Sequence, residues 1–485
     1  MSAAAWAEWE RRLGAEGFAW EAGMAVARPG DVEQTAAVVR WAGEEGIQIL
    51  VGRGGSALGA GVDAVSAAAG APAAANGGET HGDGGAAANG AGAVSSIAAA
   101  GPRRVLRLDL CRMRRLRFYE PGDLTGGWDA GATAAEVNAA LSAHGQYLPL
   151  DGGGGATTLG AILAARRSGP LRHGFGTARD FVIGIEAVTA AGEIVHGGGK
   201  VVKNVAGYDL MRLLIGSAGT LAVITGVNCK VFPALAATES MAFALADFAA
   251  AERLRSRLLH SPLRLIALEL TDGTMDECGR QRGGGAVDAE GSRAMTALAR
   301  FQGSEAVRAR YRRELAAIAA ELSVDARAVE AEAQLWDTWE AERLPLAMGA
   351  PSGVAVELLR RTAEMAASGG RSLRFRGRLA LGAFGLALAP ELTGDARAAW
   401  RREWRTMAAR VHGDAWLQDE AEPWDAAWRG ISQGAGHGQA QDVWRGAQGD
   451  HAAGGRDPRR EGDWMGRLKR HLDPRGLFGP AEAGA

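Results

Sequence analysis

The chain is predicted to be α+β: a nucleotide-binding domain followed by an α+β cap domain. Three observations carry that expectation. At 485 residues it exceeds one ordinary core, so two or three domains are expected. Two glycine-rich loops, Gly52 to Gly61 and Asp151 to Gly160, each follow a short apolar run, Ile47 to Val51 and Gln146 to Leu150. Beyond Pro233 the character changes to long Ala- and Arg-rich helical stretches. The expected boundaries are 1–233 for the nucleotide-binding domain, 234–460 for the cap, and 461–485 for a closing helix and tail that return to the first domain.

Taken in order, residues 24–51 read as strand, helix, strand. Asp31 is the N-cap, Gln34 sits at capping-box spacing, and Val32, Ala36, Val39 and Ala42 share one face up to Gly46. Residues 64–100 are mostly Ala and Gly, with too little large apolar surface to offset the entropy of ordering, so a disordered insertion is expected. Arg104 to Leu110 alternates as a strand. Thr133 and Glu136 form a capping box that opens a second helix, ended by Gly145. Phe181 to Val195 reads as a hairpin turning at Ala191-Gly192, and Leu221 to Phe232 as a strand. Small residues, one Pro and three Gly between Ser168 and Asp180 suggest a close-fitting loop rather than a helix. In the second half, helices are expected at Ala249 to His260, Glu305 to Leu322 and Trp464 to Leu472. Strands are expected at Leu265 to Leu270 and Leu379 to Leu388, and loops at Gly279 to Gly291 and Ile431 to Gly455.

Composition narrows the function classes. A formal charge of -2 gives no basic face for nucleic acid. The Arg103 to Arg117 and Arg374 to Arg378 clusters read as solvated faces. Three scattered cysteines, Cys111, Cys229 and Cys278, with no Cys-x-x-Cys, argue against a self-contained iron–sulfur or zinc site and for a reducing compartment. No metal site is expected. No segment offers the roughly twenty apolar residues of a membrane span, and the N-terminus has no apolar core of signal-peptide length. The expected location is cytoplasmic, peripheral at the inner membrane at most, and then only through partner subunits.

Loops without Cβ atoms let backbone N–H groups converge on an anionic or flat ligand. Two such loops, with a third glycine-punctuated segment at Gly216 to Thr225, suit a ligand gripped along its length, as a flavin dinucleotide would be. Gly52-x-Gly54-x-x-Ala57 also satisfies a Rossmann pattern, but no helix signal follows, and neither Glu79 nor Asp83 ends a strand. Arg166, Arg167 and Arg172 can offset pyrophosphate charge or hold a substrate carboxylate, since a guanidinium suits either.

Lys203 to Leu210, Gly216 to Thr225 and Arg179 to Gly184 resemble the FAD-binding domain of the vanillyl-alcohol oxidase/p-cresol methylhydroxylase (PCMH) superfamily. Within it they are most similar to glycolate oxidase FAD-binding subunits, the E subunits of D–E–F complexes, as is Leu468 to Phe478 near the end of the chain. The resemblance implies a PCMH-type FAD-binding domain holding FAD extended between two subdomains. Gly52, Arg53, Gly54, Gly55 and Ser56 would wrap the pyrophosphate, and Thr158, Leu159, Gly160 and Ser168 would line the opposite side. Gly219, Thr220 and Ile224 would meet the flavin. Relatives with covalent flavin carry His where Ser56 stands, so non-covalent FAD is implied.

The implied reaction is oxidation of a small 2-hydroxy acid by hydride transfer to the flavin, in a complex with a sister FAD-binding catalytic subunit and an iron–sulfur subunit. Lys203 and Arg172 are the candidate cations. The family's His-rich motif has only His412-Gly413-Asp414 as its nearest match, and His437 lies in a glycine-rich loop, so the base is unassigned. The segment Gly479-Pro480-Ala481-Glu482 also departs from the family's usual ending. Two other readings stand beside the leading one: a flavin-carrying relay or assembly subunit without turnover of its own, and a stand-alone oxidase of the same superfamily.

Overall fold

The computed structural model describes residues 3–21, 24–52, 105–151, 153, 155–200, 209–234, 237–275, 281–282, 294–341, 344–392, 394–413, 415–419 and 464–478. The expectations for 64–100, Arg53, Gly54, Gly55, Ser56, Lys203 and His437 fall outside them.

Local signals set the first layer. Asp31 caps the helix Val32–Glu44 by accepting from the Gln34 N–H at 2.7 Å, while Gln34 Oε1 accepts from Gly30 N at 2.9 Å. The buried face of this helix, Ala36, Val38, Val39 and Ala42, packs on a four-stranded sheet of β1 (Phe18–Glu21), β2 (Met24–Ala27), β3 (Gln48–Val51) and β4 (Val105–Leu108). Its order is β1-β2-β4-β3, with β4 parallel to both neighbours.

Five further strands form an antiparallel sheet: β5 (Leu116–Glu120), β6 (Thr125–Asp129), β8 (Val182–Thr189), β9 (Ile194–Gly198) and β10 (Ala222–Lys230), in the order β5-β6-β10-β8-β9. Two short strands, β7 (Gln146–Tyr147) and β11 (Phe232–Pro233), pair separately. Val188 and Val223 of the larger sheet share a core with the helix Val32–Glu44, so that helix is packed between the two subdomains. Thr133 and Glu136 form the expected capping box. Arg117, part of a cluster expected to face water, instead bonds the buried Asp129 at 2.7 Å and Glu186 at 2.7 Å. A buried carboxylate beside a part-buried one requires a cation, and this one is only a quarter exposed.

The second domain is one antiparallel sheet with the order β17-β12-β16-β13-β19-β20-β18-β21. Its strands are β12 (Thr238–Leu245), β13 (Ala267–Asp272), β16 (Met295–Gln302), β17 (Asp325–Ala328), β18 (Leu346–Gly349), β19 (Ser372–Arg378), β20 (Ala383–Ala389) and β21 (Trp416–Asp419). A separate hairpin pairs β14 (Thr274–Met275) with β15 (Gln281–Arg282). Four helices, Phe248–Leu259, Glu305–Leu322, Ser352–Ser368 and Gly394–Val411, bury the large apolar core against one face. The helix Glu332–Ala341 lays Trp336 and Trp339 on the other face, over Ala242, Ala267 and Leu298.

Here one expectation is corrected. The strand expected at Leu379 to Leu388 begins as a turn, whose Gly382 has φ +66, and only its later part is strand, β20; β19, before the turn, was not expected. In β19, Leu373 and Phe375 enter the large core while Arg374, Arg376 and Arg378 take the other face, where Arg376 lies over Trp339 and Arg378 reaches the first domain.

The segment Trp464–Phe478 packs on the first domain. Ile49 N donates to Leu477 O at 2.8 Å, and Phe478 bridges Ile49, which covers the free edge of β3. Among the described residues no helix is long and apolar enough to cross a membrane.

Candidate functional site

The third glycine-punctuated segment meets the end of β3. Gly52 leaves that strand with φ +151, its N–H donating to Leu108 O at 3.0 Å. A Cβ on Gly219 (φ +72) would come within 3.4 Å of the Val51 side chain, so the end of β3 and the third segment abut. Gly216, Ala218 and Gly219 all have positive φ, a run that turns the chain sharply before β10. The turn is fixed from behind by Gly216 N to Leu163 O at 2.9 Å and Ala218 N to Ala164 O at 2.8 Å. Ser217 lies at its centre, buried, its hydroxyl without a partner. A buried hydroxyl left unpaired is costly, so a polar ligand at this turn suits the residues present.

The second loop serves differently. Thr158 caps the short helix Leu159–Ala164, its hydroxyl accepting from Ala161 N at 3.3 Å. Leu159 N donates to Ala132 O at 2.9 Å and Gly160 N to Ala130 O at 2.8 Å, so both N–H groups are committed inside the domain. A Cβ on Gly160 would sit 3.1 Å from that of Ala130; glycine there allows helix and strand end to approach. Ile224 is buried in a central strand opposite Ala187. Thr220 donates its hydroxyl to Ser217 O at 2.7 Å, while its own carbonyl accepts from Lys469 at 2.5 Å.

The segment Ser168–Leu171 is gripped from two sides. Buried Asp151 accepts the N–H groups of Gly169 at 2.8 Å and Leu171 at 2.5 Å. Arg378, reaching across from β19, donates to the carbonyls of Ser168 and Gly169, the latter at 3.0 Å. Burial pushes the Asp151 carboxyl up, against the pull of those two N–H groups and Arg378. Two one-turn helices follow, Arg172–Phe175 and Ala178–Phe181, where a loop was expected. Gly174 N reaches Ile266 O at 3.2 Å, which seats the first turn against the second domain.

Arg172 is half-buried, and its guanidinium makes no hydrogen bond or ion pair among the described residues. Burial, then Arg378 and Arg166, lowers its proton affinity against the opposing pull of Asp180. A cation near two other cations that makes no ion pair of its own has the local electrostatics of an anion site. His412, the other described candidate, closes the helix Gly394–Val411, which packs on the opposite face of the sheet, so the fold does not bring it to Arg172.

Residues passed over in the sequence occupy this seam. Tyr147 OH, His173 Nδ1 and Glu269 Oε1 are all buried without partners. Burial holds His173 below the usual imidazole range and pushes Tyr147 up. One signal for Glu269 was present: an acid inside the apolar run Ala267 to Leu270.

The first domain thus has two sheet-bearing subdomains, and it is joined to a second domain of one sheet and packed helices. Residues 78–198 match the model of the FAD binding domain, and residues 235–359 that of the C-terminal domain of FAD linked oxidases, together about half the chain. By these matches the chain carries an FAD binding domain and the C-terminal domain of FAD linked oxidases. It is 41% identical over 128 residues to glycolate oxidase subunit GlcE of Escherichia coli (strain K12), covering 26% of this chain and 37% of that protein. It is 41% identical over 104 residues to D-lactate dehydrogenase of Archaeoglobus fulgidus, covering 21% of this chain and 24% of the relative. The matched stretch is thus between about a quarter and two-fifths of these relatives' length. A solved alkyldihydroxyacetonephosphate synthase shares the fold at a TM-score of 0.56 and 14% identity, over 94% of this chain and 76% of its own.

The unpartnered Ser217 hydroxyl gives a direct test of whether this turn meets the cofactor. Ser217→Ala is expected to weaken FAD binding by about 1 kcal/mol, roughly fivefold, measured by fluorescence titration of the apoprotein. Unchanged affinity would remove Ser217 from the cofactor's contacts.

Proposed function

We propose that this chain oxidises a small 2-hydroxy acid, such as glycolate or D-lactate, to the 2-oxo acid, as the FAD-binding subunit of a multi-subunit dehydrogenase. The observation that carries the reading is the half-buried Arg172 guanidinium, unpaired among the described residues, in a segment fixed by Asp151 from one domain and Arg378 from the other. A substrate carboxylate supplies the missing counter-ion. His173, held neutral by burial with Nδ1 unpartnered, is available in the same segment to accept the hydroxyl proton.

In this reading Gly52 to Ser56, Thr158 to Gly160, Ser168 and the turn Ser217 to Thr220 with Ile224 hold FAD non-covalently, and Lys203 is a second cation near it. Bound FAD supplies the two-electron acceptor. Because two relatives are named as subunits of glycolate oxidase, a sister FAD-binding catalytic subunit and an iron–sulfur subunit are the proposed partners. The proposed location is cytoplasmic, with membrane contact only through those partners.

The test is anaerobic addition of glycolate or D-lactate to the FAD-loaded chain. Bleaching of the flavin colour is expected, and persistent colour with both acids would favour a relay role. Arg172→Met is expected to raise KM about 10- to 150-fold, the worth of a charged hydrogen bond of roughly 1.5–3 kcal/mol, with FAD content unchanged. An unaltered KM would take the carboxylate away from Arg172.

A further inference from the structure

We propose that Glu269 and Arg378 act as positioning residues for the Arg172 anion site, forming an interdomain clamp whose grip on Ser168–Leu171 is released when Glu269 ionises. The inference deepens the function proposed above and rests on its placement of the anion at Arg172. Its geometric basis is the pairing of β13 with β19, which sets Glu269 directly opposite Arg378 on the sheet face toward the first domain.

Three facts define the clamp. Arg378 spends Nε and Nη2 on the carbonyls of Gly169 and Ser168, and it forms no ion pair with Glu269 or Asp151. Glu269 Oε2 accepts from Trp339 Nε1 at 3.1 Å, while Oε1 is buried with no partner. Glu269 itself is 2% exposed. A guanidinium facing a neutral carboxyl has no reason to leave two good carbonyl acceptors. Facing a buried carboxylate it does, because an ion so placed without a counter-charge is strongly unfavourable.

The groups around Glu269 set where that change falls. Burial dominates and pushes its carboxyl up to about 7; Asp151 adds to the rise, and Arg378, the Trp339 N–H and Arg376 oppose it. Arg376 lies over the Trp339 ring at 4.3 Å and donates to Trp339 O at 3.3 Å. From β16 the residue opposite Glu269 is Leu298, and nearby Arg300 is held by Glu332 at 2.7 Å. Arg378 is therefore the cation directly opposite Glu269 that is held only by neutral acceptors. Ionisation draws it toward Glu269, frees the carbonyls of Ser168 and Gly169, and loosens the segment that aims Arg172.

The test is amide hydrogen exchange of the peptide covering Ser168–Phe175 in the full-length, FAD-loaded protein at pH 6 and pH 8, corrected for intrinsic rates. In the wild type the opened population is expected to rise about tenfold between them, following the ionised fraction of a group titrating near 7. Glu269→Gln, isosteric with the neutral acid, is expected to abolish that rise and keep the protection seen at pH 6. A purely structural role for Glu269 would not flatten the pH profile. Retention of the rise in Glu269→Gln, or its absence in the wild type, would overturn the clamp. If the exchange behaves as expected while neither acid bleaches the flavin, the clamp stands and the substrate reading falls.

Discussion

Gly169→Val is expected to separate the two domains and to cost about 3–5 kcal/mol of stability, at the upper end of single substitutions. A Cβ at this position would stand 2.6 Å from the Asp151 carboxyl carbon and 2.6 Å from its backbone oxygen. Neither can retreat. The carboxylate is held by the N–H groups it satisfies, and Gly169 is itself one of the two donors. Displacing it leaves a buried acid short of partners and removes a carbonyl from Arg378. Thermal unfolding is expected to resolve into two transitions, because the seam that couples the domains has been broken. A single transition at the wild-type temperature would show that the segment bears no such load.

Lys469→Met is expected to detach the closing segment and to lower FAD retention with it. The Lys469 ammonium donates to Thr220 O at 2.5 Å, Asp473 Oδ2 at 2.6 Å and Phe478 O at 2.5 Å. Asp473 is fully buried in its side chain and also accepts from Leu477 N at 2.8 Å and Phe478 N at 2.9 Å. Removing the cation leaves that carboxylate without its charge partner, worth about 3 kcal/mol when such a pair is broken. The loss reaches the cofactor turn through Thr220, the residue after Gly219. Limited proteolysis is expected to cut before residue 478 in the variant, with FAD dissociating faster. Wild-type protease resistance together with wild-type FAD dissociation would contradict the coupling.

The elements legible in the sequence were those with local causes. Capping residues at Asp31 and Thr133 gave their helices away, and the stretches Glu305–Leu322 and Trp464–Leu472 have the expected bounds. Strand β19 was missed for a tertiary reason. Arginines at every second position look water-facing until distant elements cover them, and here Arg376 stacks on Trp339 of a neighbouring helix while Arg378 crosses the seam. Four-residue helices at Arg172–Phe175 and Ala178–Phe181 carry too few residues to show a period. In the candidate site, the glycines pointed to the sharp turn before β10, yet Leu159 and Gly160 turn out to spend their N–H groups on Ala132 and Ala130. The seam of Asp151, Glu269 and Arg378 joins positions more than a hundred residues apart, beyond the reach of any local pattern.

The most direct measurement of the account is FAD titration of the purified full-length chain, followed by flavin absorbance and fluorescence. Stoichiometric uptake of one FAD per chain, released on denaturation without a covalent residue, is the expected result. A colourless protein that takes up no FAD on reconstitution would contradict the account at its base.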